Sequence, residues 1–124
     1  MRISRNKYRN KKIQVNGETF DSMKELRRWR DLKILENAGE ITELRWQVPF
    51  ELLPNQREPD KIGPRGGIKK GRIIERKAVY VADFVYKDRA GREVIEDCKG
   101  MRTKDYILKR KLLLFRFGIR IMET

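Results

Sequence analysis

Histidine is missing from all 124 residues, and that absence removes more chemistry than any residue present. Imidazole general bases, Ser-His-Asp triads, histidine-ligated zinc and the histidine-metal nucleases are all excluded. Cysteine occurs once, at Cys98, so neither an internal disulfide framework nor a four-cysteine zinc site can form. No apolar run approaches the roughly 20 residues that span a bilayer, and no signal-peptide core follows the start. A cytoplasmic protein without a membrane partner is expected. Catalysis is left to carboxylates, amines and a metal that takes oxygen ligands, for which Mg²⁺ or Mn²⁺ is the natural choice.

What is abundant is positive charge, with a net +13. Residues 1–12 carry six Arg or Lys and no acid, and residues 99–124 carry eight basic against two acidic residues. The stretch between them, with 17 basic and 16 acidic residues, is nearly neutral. Two basic ends on a neutral body point to a polyanion, most simply nucleic acid. Solubility alone is the competing explanation.

The length suits one domain. Residues 1–11 are basic and aperiodic and read as a flexible arm, leaving 12–124 as a single folded domain. Lys12–Val15, Asn16-Gly17 and Glu18–Phe20 form a hairpin pattern, since Asn-Gly suits a type I′ turn. Ser22 with Glu25 three residues on has the capping-box spacing, and a helix should run from there to Ala38, stopped by Gly39. Its apolar stripe is Leu26, Trp29, Leu32 and Leu35, with Ile34 on one flank. Ile41–Arg45 and Val48–Leu53 read as extended, interrupted near Pro49. Residues 54–72 hold three of the four prolines and four of the nine glycines, which predicts a long basic loop. Strands are expected at about 73–86 and 92–98, a second helix from Thr103 or Lys104 to Phe117, and a short last strand at 119–122. The order implies an α/β fold with a mixed central β-sheet flanked by helices.

Two acids stand out within the strand pair. Asp83 follows Ala78–Ala82 and precedes Phe84-Val85-Tyr86; Asp97 closes Glu93–Glu96, and Lys99 stands two residues beyond it. Strand side chains alternate, so Asp97 and Lys99 share a face. A wet sheet face would explain such acids cheaply. Yet apolar residues occupy both faces of 78–86, where an unpaired carboxylate is costly. Glu25 is a third acid, either the reciprocal capping residue or a carboxylate able to reach the sheet edge. Acids gathered round a divalent metal, with a lysine to orient water or neutralise phosphate charge, suit phosphodiester hydrolysis.

An acid in a first helix followed by D…(D/E)xK on a strand pair resembles the PD-(D/E)XK nuclease superfamily, the restriction-endonuclease-like fold. A closer likeness rests on several segments: Lys7–Lys12, Phe20-Asp21-Ser22 through Glu25, Asn37–Ile41, Gln47–Phe50, Ala82–Tyr86 and Glu96–Gly100. Together they are similar to a family of small phage and prophage proteins, formerly a domain of unknown function, placed near Holliday-junction resolvase-like enzymes. The resemblance implies Glu25, Asp83, Asp97 and Lys99 as catalytic residues, the three acids as metal ligands, and a bacterial host cytoplasm. It departs from the pattern at Ala82, where the superfamily has proline, and at Asp97, where Glu is commoner. Glu96 competes with Asp97 as a ligand, and strand parity favours Asp97. Gln47 either bonds within the site or satisfies backbone at the Pro49 bend.

Lys7, Arg9, Lys11 and Lys12 of the arm, Lys69, Lys70 and Arg72 of the loop, and Lys104, Lys109, Arg110 and Lys111 of the second helix are the expected phosphate contacts. A Mg²⁺-dependent DNA endonuclease is the leading expectation, with branched or Holliday-junction DNA as substrate and a homodimer to make paired cuts. A nicking or flap nuclease, a non-catalytic nucleic-acid-binding accessory protein and a basic structural protein remain as alternatives.

Overall fold

In the computed structural model, residues 13–15, 18–20, 22–99 and 101–124 are described. The basic arm, with Lys7, Arg9, Lys11 and Lys12, lies outside them, as does the Asn16-Gly17 turn. The chain divides into two units. One takes the residues up to Val48, with Ala82–Met101 and Ile121–Thr124; the other takes Pro49–Val81 and Arg102–Arg120.

The first unit opens with the expected hairpin, β1 (Ile13–Val15) against β2 (Glu18–Phe20), with Ile13 opposite Phe20. Helix α1 (Met23–Asn37) follows. Ser22 caps it by accepting the Glu25 N–H at 3.1 Å, which is one half of the capping box. Its end is a Schellman motif: Gly39 sits at φ 78°, with Gly39 N–H bonded to Glu36 O and Glu40 N–H to Leu35 O. Leu26, Trp29 and Leu32 are buried, and Leu35 packs against the same core. Ile34 does not join them and is exposed; at about 100° per residue it falls nearly opposite the stripe. Phe20 and Phe84 place their rings 5.9 and 6.0 Å from Trp29, and Ile41 and Tyr86 complete the cluster.

Strand β3 (Thr42–Leu53) is continuous where two segments were expected. Glu43 and Gln47 absorb the irregularity in left-handed conformations, at φ 55° and 51°, which bend a strand without ending it. Gln47 donates to Thr19 O at 3.2 Å, so it satisfies β2 backbone rather than joining the acids.

In the second unit, residues 54–72 are not a plain loop. They supply β4 (Gln56–Arg57), β5 (Lys61–Ile62) and β6 (Ile68–Lys69), and β7 (Ile73–Glu75) follows. These pair as two small ribbons, β4 with β7 and β5 with β6. Gly71 makes this possible: a Cβ there would lie 1.7 Å from Glu58 O. Its N–H bonds Asp60 Oδ1 and its carbonyl accepts from Arg57.

Strand β8 (Ala78–Lys87) returns to the first unit and pairs antiparallel with β9 (Glu93–Asp97). Asp88 closes their turn by accepting from Ala90 and Arg92 N–H, with Gly91 at φ 79°. Helix α2 (Lys104–Phe117) is capped by Thr103 and stopped by left-handed Gly118, as expected. Finally β10 (Met122–Glu123), slightly later than predicted, runs parallel to β9. The four-stranded sheet has the order β10-β9-β8-β3. The protein is therefore α/β, with a mixed sheet and, among the described residues, two helices.

Candidate active site

The β8–β9 register sets Phe84 opposite Glu96 and Val85 opposite Ile95. One step further, Asp83 stands opposite Asp97. Alternation then sorts the strand pair. Phe84, Tyr86, Val94 and Glu96 take one face, while Asp83, Val85, Ile95 and Asp97 take the other.

On the second face, Asp97 is almost fully buried and Asp83 partly so. Lys99 Nζ lies 3.0 Å from Asp97 Oδ1. Asp83 Oδ2 accepts the Cys98 N–H at 2.7 Å, which fixes that carboxylate against the next strand. Burial, then the charges of Asp97 and Glu25, push the Asp83 carboxyl up to about 8. Glu25 is itself buried, with Leu26, Trp29 and Leu32, on α1. The structure thus brings Asp83, Asp97 and Lys99 together, and the charge of Glu25 acts on Asp83.

The Asp97-Cys98-Lys99 backbone is held on every side. Thr124 N–H donates to Asp97 O at 3.0 Å, and Lys99 N–H donates to Thr124 O at 3.2 Å. Lys24 Nζ reaches Lys99 O at 3.2 Å. The Cys98 thiol contacts the Thr124 hydroxyl, and burial pushes it up to about 11, so it is not a reactive thiolate near neutral pH.

Glu96 belongs to the opposite face and to a different structure. Arg28 grips it through Nε and Nη2 at 2.7 and 2.8 Å, and the Tyr86 hydroxyl also donates to it. The bond to Glu96 raises the Arg28 guanidinium, and burial followed by the same carboxylate raises the Tyr86 phenol. Glu96 is fully buried, and its oxygens are engaged by these two donors, so the contest between Glu96 and Asp97 is decided by geometry. Sequence reasoning missed Arg28 and Tyr86. The available signal was an arginine bordering an apolar helical stripe in a chain with an acid two strand positions from a tyrosine-bearing partner. Glu123 was missed as well: it pairs with Asp97 across β9 and β10, which places a fourth acid on the Asp83–Asp97 face.

The expected phosphate contacts of the second unit are surface groups with mixed engagements. Lys69, Lys70, Lys104 and Lys111 are exposed. Lys109 pairs with Asp105 at 3.3 Å, Arg110 lies over the Tyr106 ring, and Arg72 approaches Glu58 at 3.5 Å.

Among the described residues no group of three or more His, Cys, Asp or Glu stands ready-spaced around an ion, and no helix is long and apolar enough to cross a membrane. The donors at the cluster are nonetheless all carboxylate oxygens, pressed together against their own repulsion, which is the donor set of a hard divalent cation.

Because Asp83 keeps its proton in the folded protein, the fold binds that proton more tightly than the unfolded chain does. The Asp83 contribution to stability therefore falls as pH rises from 3.8 to about 8 and is flat above. In metal-free buffer, the urea midpoint of wild type minus that of Asp83→Asn is expected to decline across this window. A difference that grows with pH would contradict the buried, repelled carboxylate.

Fold and cluster together define an α/β domain with a carboxylate–ammonium centre on a strand pair. The chain belongs to the family described as Protein of unknown function (DUF1064), whose model matches residues 5–122. No curated protein and no solved structure matches it.

Proposed function

We propose that this protein is a Mg²⁺- or Mn²⁺-dependent endonuclease of the restriction-endonuclease-like type that hydrolyses DNA phosphodiesters. The observation that carries this reading is the pairing of Asp83 with Asp97 across two strands, with Lys99 at 3.0 Å and the charge of Glu25 acting on Asp83. Gathering buried acids costs stability, and a fold that needed no cation there would place apolar residues instead.

Asp83, Asp97 and Glu25 would hold the cation. When bound, it would polarise the scissile phosphate and lower the pKa of a bound water. The chain's own residues do the rest. The Cys98 N–H keeps Asp83 aimed at Asp97, and Thr124 keeps the Asp97 and Lys99 backbone in register. Lys99 presents ammonium donors to the phosphoryl oxygens as their charge builds. Glu96 stays on the far face, neutralised by Arg28, and does not compete for the cation.

The net charge of +13 supplies sequence-independent affinity for the sugar–phosphate backbone. With no base-reading element evident among the described residues, selection by DNA structure is the consistent reading. Branched or Holliday-junction DNA, cut by a homodimer in phage replication or recombination, is the substrate we favour.

The test is incubation with labelled duplex, flap and four-way junction, with Mg²⁺ and with EDTA. Paired, Mg²⁺-dependent nicks at the junction are expected, and binding should weaken about 10³-fold or more between 50 and 200 mM salt. Binding without cuts on any substrate would replace this reading with the accessory role. Cutting of the flap alone would leave a nuclease and remove the junction.

A further inference from the structure

The charges of α1 run against its own dipole. Lys24, Arg27, Arg28 and Arg30 fall in its first eight residues, while its last turn has no basic residue and carries Glu36. A helix is positive at its start, so cations there are disfavoured and belong at the other end. Glu25, the acid of the first turn, is turned inward and buried, so it does not offset them at the surface.

Three of these cations line a concavity of about 210 Å³ with Asp31, Cys98 and Thr124. Of the lining side chains, three are basic and one is acidic. Arg28 is committed to Glu96, which fixes the back of the concavity. Among the described residues, exposed Lys24 has the Lys99 carbonyl as its one hydrogen-bond partner, and exposed Arg27 has no ion pair. No ion pair among the described residues offsets the charge of Lys24 or Arg27, and an anion would relieve it.

The volume is below the roughly 300 Å³ at which pockets begin to take whole small molecules, so a phosphate group fits where a nucleotide does not. The concavity also adjoins the acid cluster. Cys98 is a common wall, since its N–H holds Asp83 while its residue lines the basic side. Lys24, bonded to the Lys99 carbonyl, bridges the same gap.

We infer that Lys24 and Arg27 seat a backbone phosphate of the nucleic-acid strand adjoining the phosphate attacked at Asp83, Asp97 and Lys99. This rests on the nuclease reading and adds where the strand runs: past the first two turns of α1, over Cys98. It makes Lys24 and Arg27 substrate-positioning residues that bind without taking part in bond breaking.

The test compares wild type, Arg27→Gln, Lys24→Gln/Arg27→Gln and, as a control on the same helix but outside the concavity, Arg30→Gln. Binding of a fluorescein-labelled four-way junction is read by anisotropy in EDTA over a salt series. The double variant is expected to lose about tenfold in affinity, and its log K against log salt slope should drop by about 1, the share of one phosphate. Arg30→Gln should stay within about twofold. Without DNA, the double variant should melt a few degrees higher, because the unfavourable dipole contact is gone; a merely structural role would lower the melting temperature. In Mg²⁺ its KM should rise while kcat holds. A double variant that binds with the wild-type affinity and slope overturns the inference. If wild type cuts normally in that case, the nuclease reading survives; wild type that neither binds nor cuts ends both.

Discussion

Lys99→Ala and Asp83→Asn are each expected to remove metal-dependent cleavage while leaving the fold and most DNA affinity in place. Lys99→Ala loses the donor proposed to face the developing charge, which should cost at least about 10²-fold in kcat. Asp83→Asn replaces a proposed metal ligand by a neutral amide in the middle of the cluster, and cleavage should drop below detection. The two variants are told apart by stability. Asp83→Asn removes a buried carboxyl pushed up to about 8 by burial and by Asp97 and Glu25, so the metal-free variant should be the more stable protein near neutral pH. Lys99→Ala removes the partner 3.0 Å from buried Asp97 and should be less stable than wild type. Single-turnover cleavage of the labelled junction at saturating Mg²⁺, beside urea denaturation of the same preparations, checks both. Rates equal to wild type in either variant would take these residues out of the mechanism.

The second large effect concerns a residue outside the chemistry. Arg28→Ala should destabilise the protein by about 3–5 kcal/mol, because it strands a fully buried Glu96 carboxylate. Combining Arg28→Met with Glu96→Gln should recover most of that loss, since the cost lies in the unpaired charge rather than in the missing contact. Urea midpoints of the single and double variants decide it. A single variant as stable as wild type would mean that water or Tyr86 satisfies Glu96 unaided. The pair also has a bearing on the site. Arg28 follows Glu25 by three residues, and Glu96 precedes Asp97, so the ion pair ties the helix that carries one acid to the strand that carries another.

Much of this was readable from local patterns. Ser22 and Gly39, Thr103 and Gly118 bracket their helices because caps and stops are short-range chemistry, settled within four residues. The β8–β9 turn was equally plain in Asp88 and Gly91. Strand alternation put Asp97 with Lys99, and it holds in the structure. Residues 54–72 were harder. Their proline and glycine content looks like loop, and only the close approach of Gly71 to Glu58, a contact across 13 positions, makes paired ribbons of them. Ile34 was misplaced, although at about 100° per residue the helical period alone sets it nearly opposite the stripe.

The site divides in the same way. The kinds of group available, carboxylates and lysine with no imidazole, and the basic bias toward a polyanion follow from composition, which no fold can alter. The faces of each helix and strand follow from period. That Asp83 meets Asp97, that buried Glu25 sets its charge on Asp83, and that Glu96 is claimed by Arg28 and Tyr86 required the register of two strands and the packing of a helix onto them. Those pairings link residues up to 72 positions apart, and local propensity carries no information across such a separation; only the folded chain, by excluding water from one set of neighbours, decides which charges must share a place.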